Sequence, residues 1–371
     1  MRYSTVLIFV FTSFFISLSA QPILPVNAYI QLSGSISKEL ALTLYLVKVG
    51  DSLYGDYTCF TDSKGNNTKF GHNGQSRQCF GKINTNGKFW IKDWPGDQGS
   101  IFKGRFTDPG HVSGTWSLKE GGSQKLPFEL SKTNKKGCPG FVPYVMMDHC
   151  KLLKDQKSPV ATIKMGLLSP VKDSSSSWSD TIQKHFFNQF TDSLNIENNP
   201  IKLLSKVRQD FFNNYIHDNE TLYKEMPGAS FGWELLRFTH LISNENGKVT
   251  FYTLSYSYTG GAHGLQAQFY CTIDLNRGKV LLPEDIFISG YESELSRLLT
   301  SKLHQMVNIP ESGQLTESGY FVNEIKQNTN FYMNANGIGF FYNQYEIAPY
   351  SFGTTDIFLS TKEVSELLKK P

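Results

Sequence analysis

Charge is scarce in this chain, and so are the spacings that announce chemistry. Asp, Glu, Lys and Arg make up only 19% of its 371 residues, while Phe, Trp and Tyr reach 14%. So few charges beside so many aromatics exclude extended disorder, because enough apolar surface is present to build packed cores. No Cys-x-x-Cys, His-x-x-x-His or His-Glu-x-x-His spacing occurs, so no metal site is expected. Phosphate-cradling glycine loops are absent as well. Cofactor: none is expected, and no catalytic residue can be assigned by motif.

Long apolar runs are missing too, apart from one at the start. Arg2 is followed by the apolar stretch Val6 to Leu18, and Ser17-Leu18-Ser19-Ala20 offers a small-x-small cleavage pattern before Gln21. That run is shorter than the ~20 residues a membrane helix needs, so residues 1–20 read as a secretory signal peptide and the protein as secreted or periplasmic. No cysteine follows the cleavage pattern, which argues against a lipid anchor, and no stable membrane span is expected after cleavage.

Cysteine is sparse, with five in all. Export permits disulfides. Cys59 and Cys79 bracket a polar stretch, as a strap across a hairpin would, and Cys138 and Cys150 bracket a short connector; these are the disulfide candidates. Cys271 lies in an apolar strand pattern and reads as a buried thiol. Net charge is only +3, which implies no nucleic-acid partner. Its distribution is uneven: residues 22–175 hold 20 Lys/Arg against 12 Asp/Glu, and residues 176–371 hold 15 against 21. The first part is therefore basic and the second acidic, a bias that steers partners or pairs the halves.

The pattern divides the chain at 21–132, 133–177 and 178–371. Residues 27–132 alternate apolar and polar with turns at Gly50-Asp51, Ser63 to Asn67 and Asn84 to Gly87, predicting six to eight short strands. Three phrases place a glycine between large residues: Leu53-Tyr54-Gly55-Asp56-Tyr57, Phe102-Lys103-Gly104-Arg105-Phe106 and Val112-Ser113-Gly114-Thr115-Trp116. Glycine inside a strand suits a strongly bent sheet, where a missing side chain lets strands approach. A small antiparallel barrel or roll follows. Its Phe89, Trp90, Trp94 and Trp116 either fill the interior or, where exposed, stack on sugars. Residues 133–177 read as a linker, within which Val160 to Leu167 is an extended segment suited to joining the next sheet.

From Trp178 the period becomes helical. Trp178, Ile182, His185, Phe186 and Phe190 share one face, and a second amphipathic helix follows Pro200. Strand patterns then run from Phe231 to Ser243, Val249 to Tyr258 and Gln266 to Leu275. A helix is predicted over Tyr291 to Val307, a hairpin over Phe331 to Tyr342, a last strand over Asp356 to Leu359 and a terminal helix over Lys362 to Lys370. Helices around a run of hairpins imply an α+β domain, an antiparallel sheet packed against helices.

The densest signal is Tyr256-Ser257-Tyr258-Thr259-Gly260-Gly261-Ala262-His263-Gly264, a strand ending in a glycine turn that carries one imidazole. Together with Glu284-Asp285-Ile286-Phe287 and Tyr345-Glu346-Ile347-Ala348-Pro349-Tyr350-Ser351-Phe352-Gly353, it resembles, in order, a bacterial domain of unknown function. That domain is similar to the extracytoplasmic part of the RsiV family of lysozyme-sensing anti-sigma factors and to an accessory module of peptidoglycan deacetylases. The resemblance covers the last half of the chain. It implies a lysozyme-like protein or peptidoglycan glycan as partner, and the acidic balance of residues 176–371 would attract a basic one. No lysozyme-gripping residue carries over by motif.

Gly260, Gly261, His263, Gly264, Tyr345, Glu346 and Tyr350 are the candidate binding residues. His263 has three readings: a lock on its own turn, a recognition group, or a proton-transfer group beside a carboxylate such as Glu346, Asp285 or Glu284. The expected function is an exported, non-catalytic binding protein of the bacterial envelope. The alternative is an envelope hydrolase using His263.

Overall fold

A computed structural model describes residues 23–370 except 62–72, 94–98, 120, 134–136, 155–156, 172–177, 192–197 and 228–230. The expected signal peptide, the Ser63 to Asn67 turn, Trp94 and the serine run at 174–177 lie outside the described residues.

Eight antiparallel strands close into a barrel: β1 (Asn27–Ile36), β2 (Leu40–Val49), β3 (Ser52–Thr61), β4 (Ser76–Ile83), β5 (Lys88–Asp93), β6 (Ile101–Asp108), β7 (His111–Ser117) and β8 (Leu126–Lys132). Strand β8 returns to β1 through Leu32↔Lys132 to Ile36↔Phe128, so no edge is left open. The inward residues of the alternation fill the interior: Leu32, Leu44, Tyr57, Ile91, Phe102, Phe106 and Trp116 are all at most 1% exposed. Phe89 and Trp116 therefore belong to the core, whereas Trp90 is half-exposed on the outer wall. The strand glycines do what the pattern predicts. A Cβ on Gly55 would stand 2.0 Å from the Tyr45 carbonyl oxygen, and one on Gly114 would stand 2.2 Å from the Lys103 carbonyl oxygen. The neighbouring backbone occupies the place of the missing side chain.

The second body is built on a six-stranded sheet in the order β14-β13-β12-β11-β10-β9. Its strands are β9 (Phe141–Lys151), β10 (Val160–Pro170), β11 (Glu234–Glu245), β12 (Lys248–Tyr258), β13 (Leu265–Asp274) and β14 (Lys279–Val280). The expected extended segment Val160 to Leu167 is the body of β10, and β9 also comes from the stretch read as a linker. All neighbours run antiparallel except β10 and β11. A parallel pair needs a crossover, and α1 (Trp178–Phe190) with α2 (Pro200–Glu225) supplies it. Asn199 caps α2, its Oδ1 accepting from the amides of Ile201 at 3.0 Å and Lys202 at 3.1 Å, and Pro200 fills the first turn where no amide partner is needed.

Period-2 alternation sorts this sheet's two faces. Phe251 turns to α1, where its ring lies 4.0 Å from Phe186, while Tyr252 turns to the opposite face. That opposite face carries the barrel and a three-stranded sheet of β15 (Phe331–Asn334), β16 (Gly337–Tyr342) and β17 (Thr355–Ser360). A short α3 (Pro283–Ile286) and α4 (Glu292–Met306) pack on the far side of this small sheet through Leu295, Leu299 and Leu303.

Two expectations are corrected. The terminal helix over Lys362 to Lys370 is instead a series of turns ending in a bridge between Leu368 and Phe287. Val364 and Leu367 are pulled into the core under α4, and that docking replaces helical periodicity. No disulfide joins any of the four disulfide candidates, Cys59, Cys79, Cys138 and Cys150. Cys79 lies opposite Gly55, four residues along β3 from Cys59, an offset of about 13 Å that no disulfide spans. Cys138 precedes β9 and Cys150 lies near its far end, so most of the segment they bracket is extended strand, which sets them about 30 Å apart. Cys271 is buried as expected, and burial pushes its thiol up to about 12.

Candidate functional site

The glycine turn between β12 and β13 meets the β16–β17 loop. Gly260 and Gly261 both take positive φ, which lets the chain reverse at Ala262-His263. His263 stacks on Tyr350 with ring centroids 3.8 Å apart and planes 17° apart. The Tyr350 hydroxyl donates to the Gly264 carbonyl at 2.9 Å, and Tyr345 lies 5.8 Å beyond the Tyr350 ring. At Gly264 a Cβ would strike the Tyr256 ring at 2.4 Å, so that tyrosine rests directly on the backbone. Folding thus gathers Gly260, Gly261, His263, Gly264, Tyr345 and Tyr350 at one place. Glu346 turns aside to the amides of Asn343 and Asn328 at 3.2 and 3.4 Å.

Two of the carboxylates offered for proton transfer, Glu346 and Asp285, are engaged elsewhere. Asp285 accepts from Lys279 and from the Leu282 amide, which holds its carboxyl below the usual carboxylate range. The Glu284 main-chain carbonyl accepts from Lys369. Among the described residues, the only hydrogen-bond partner of His263 is the Gly264 carbonyl, at 3.3 Å. His263 therefore has no orienting carboxylate, and no group of three or more His, Cys, Asp and Glu is placed to hold a metal among the described residues.

Tyr350 also forms one wall of an open groove of about 580 Å³ where three bodies meet. The barrel contributes Asp56 and Gln75 to Gln78. The large sheet contributes Tyr256, Gln266, Gln268 and Tyr270, and the small sheet with its loop contributes Phe341, Gln344, Phe352 and Asp356. Five of the lining residues are glutamines, whose amides both donate and accept, interleaved with aromatic rings. Such a surface matches a ligand rich in hydroxyl and acetamido groups on flat apolar rings.

Below the groove five rings stack in sequence. His240 lies 4.6 Å from Tyr252, Tyr252 4.7 Å from Tyr270, Tyr270 5.2 Å from Tyr332 and Tyr332 6.2 Å from Phe358, with interplanar angles of 18° to 30°. Burial raises the phenols of Tyr252 and Tyr332 well above the usual value, so both stay protonated and donate. Tyr252 donates to Asp56 Oδ2 at 3.0 Å, and His240 Nδ1 meets the same oxygen at 2.9 Å. Tyr332 donates to Asp356 Oδ2 at 2.9 Å. The other Asp356 oxygen, Oδ1, is buried with no hydrogen-bond partner among the described residues. Burial pushes this carboxyl up to about 6, more than Gln75 and Tyr332 lower it, and the nearby Asp56 charge adds to the rise.

Polar contacts across the seams hold the three bodies in place around the groove. Asn244 of the large sheet donates to Gln31 of β1 at 3.0 Å, Gln78 donates to Tyr252, and Asn334 donates to the Gly74 carbonyl at 2.9 Å. Sequence reasoning missed most of this lining. The alternation Gln266-x-Gln268-x-Tyr270 marks one polar face of β13 and was a usable signal. Nothing near Asp56 or Gln78 in the chain points to residues some 200 positions away.

A family model described as a protein of unknown function, DUF3298, matches residues 284–362. That span includes the Glu284 to Phe287 and Tyr345 to Gly353 segments and excludes the glycine turn at 260–264. The chain is similar in fold to the crystal structure of a DUF3298 family member from Bacteroides fragilis, with 24% identity and a TM-score of 0.59 over 64% of this chain and 96% of that one. A DUF3298 family protein from Pseudomonas aeruginosa aligns at 16% identity and a TM-score of 0.44, over 61% of this chain and 94% of that one. No curated protein matches the chain.

Proposed function

We propose that this is an exported recognition protein of the bacterial envelope whose groove takes a cell-wall glycan. The observation that carries this reading is the lining itself: glutamine amides alternating with Tyr256, Tyr270, Tyr350 and Phe352 around one open cleft. Aromatic faces pack against the apolar faces of sugar rings, and amides pair with their hydroxyl and acetamido groups. The RsiV-like and deacetylase-module likenesses of the quoted motifs point to the same cell-wall setting. They also leave a lysozyme-like protein as a second reading, favoured by the acidic balance of residues 176–371.

Calorimetric titration with soluble peptidoglycan fragments, and separately with a basic lysozyme, tests it. Fragments are expected to bind, with Tyr350→Ala and Gln266→Ala each weakening them roughly tenfold, the value of one good contact of about 1.4 kcal/mol. Binding of lysozyme alone, weakening with salt, would transfer the site to a protein partner. Silence toward both would remove the recognition reading.

A further inference from the structure

We propose that the outer wall of the barrel around Trp90, remote from the groove's glutamines, is a second binding site, one for an anionic polysaccharide. The barrel register places Lys82, Trp90 and Lys103 side by side on β4, β5 and β6, and Lys88 beside Arg105 one outward row away. Adjacent strands stand ~4.8 Å apart and outward residues on one strand ~7 Å apart, so four cations ring a single indole at close range. Lys92 completes the surround, its Nζ 5.9 Å from the Trp90 ring centroid and 5.7 Å from that of Phe80. Lys82, Lys88, Lys103 and Arg105 are exposed, and Trp90 is half-exposed, over a shallow hollow of about 700 Å³.

Little neutralises these charges. Asp51 is the only acidic residue lining the hollow, and Lys82 takes it at 2.9 Å. Among the described residues Lys88, Lys103 and Arg105 meet no carboxylate; Arg105 donates its Nε–H to the Asn86 carbonyl at 3.2 Å. The nearest acid along the same outward row is Glu129, two strands away from Arg105 across Ser113. Five of the 20 Lys/Arg in residues 22–175 thus stand here beside an aromatic face.

That combination selects a ligand class. Cations such as Lys88, Lys103 and Arg105 hold phosphate, sulfate or carboxylate groups, while the indole accepts the flat face of one sugar. Single-stranded nucleic acid is held instead by several rings that stack successive bases; of the two aromatic residues lining this hollow among the described residues, Phe89 is buried in the barrel core and Trp90 is half-exposed. Asn84 and Ser113 supply the neutral polar contacts a saccharide hydroxyl needs. The site is independent of the groove, although β4 touches both: Gln78 lines one and Lys82 the other, about 13 Å apart on the strand.

The whole chain titrated with a heparin oligosaccharide, with neutral dextran and with inorganic polyphosphate tests the proposal. Heparin is expected to bind and to weaken steeply with salt, and dextran is expected not to bind this wall. Lys103→Glu combined with Arg105→Glu lowers heparin affinity at least roughly tenfold, since exposed charges are reversed without touching the core. Trp90→Ala lowers heparin affinity roughly fivefold or more and leaves polyphosphate unchanged. Tyr350→Ala in the groove leaves heparin binding unchanged. Heparin binding indifferent to the charge reversal overturns the site. Equal effects of Trp90→Ala on heparin and polyphosphate, or a single-stranded DNA that outcompetes heparin, overturn the saccharide assignment.

Discussion

Gly114→Ala is expected to unfold the barrel at temperatures where the native chain is stable, losing about 3 kcal/mol or more. The added methyl would sit 2.2 Å from the Lys103 carbonyl oxygen and 2.6 Å from the Gly104 Cα, and both neighbours are backbone of the adjoining strand. Backbone in a closed ladder cannot give way as a flexible side chain can, so β6 and β7 must separate or the barrel must open. Phe128 closes the third side, its ring 2.9 Å from the same point. Gly121→Ala makes the control for glycine content. Nothing lies within 4 Å of its added Cβ, although its positive φ carries a smaller backbone cost. Urea denaturation followed by tryptophan fluorescence measures both. Equal, small losses in the two variants would show that close strand approach does not hold the barrel's curvature.

Asp356→Asn is expected to stabilise the protein at neutral pH and to have no such effect in acid. The carboxyl is pushed from 3.8 to about 6 by burial, so folding raises its affinity for a proton. Between pH 4 and pH 6 the folded state therefore holds more protons than the unfolded chain, and stability falls as pH rises through that window. The contribution is complete below the unfolded value and is gone above the folded one. A rise from 3.8 to about 6 corresponds to about 3 kcal/mol. Asparagine keeps an acceptor for the Tyr332 hydroxyl and carries no charge, so the variant should lack this decline. Denaturation midpoints of both proteins at pH 4, 6 and 7.5 provide the measurement. Parallel pH profiles would mean that the Asp356 carboxyl is hydrated and not held in a dry position under the groove.

The three glycine phrases and the turn residues made the barrel legible without coordinates, because period-2 alternation and strand glycines act over a few residues. The strands from Glu234 to Asp274 were legible for the same reason, and the helix over Glu292 to Met306 by its 3.6-residue period. The terminal segment at 362–370 misled, since its apolar residues fit a helical period while docking under α4 settles its shape. The cysteine pairs misled because spacing along the chain says nothing of strand register, and register puts Cys79 opposite Gly55.

Local chemistry accounts for most of the strands, the two amphipathic helices after Trp178, the glycine turn at 260–264 and the uneven charge of the two halves, but not for β9, which lies in the stretch read as a linker. The groove arises from contacts between distant segments. Asp56 meets His240 across 184 positions of chain, and Gln78 meets Tyr252 across 174. Three sequence segments, each with an ordinary polar face, become one cleft only when the barrel and the two sheets are packed together. The Trp90 wall is an intermediate case, with its lysines countable in the sequence but placed around one ring only by the barrel's register. Residue types are inherited from the chain, while distances between them are set by long-range packing that no short window contains.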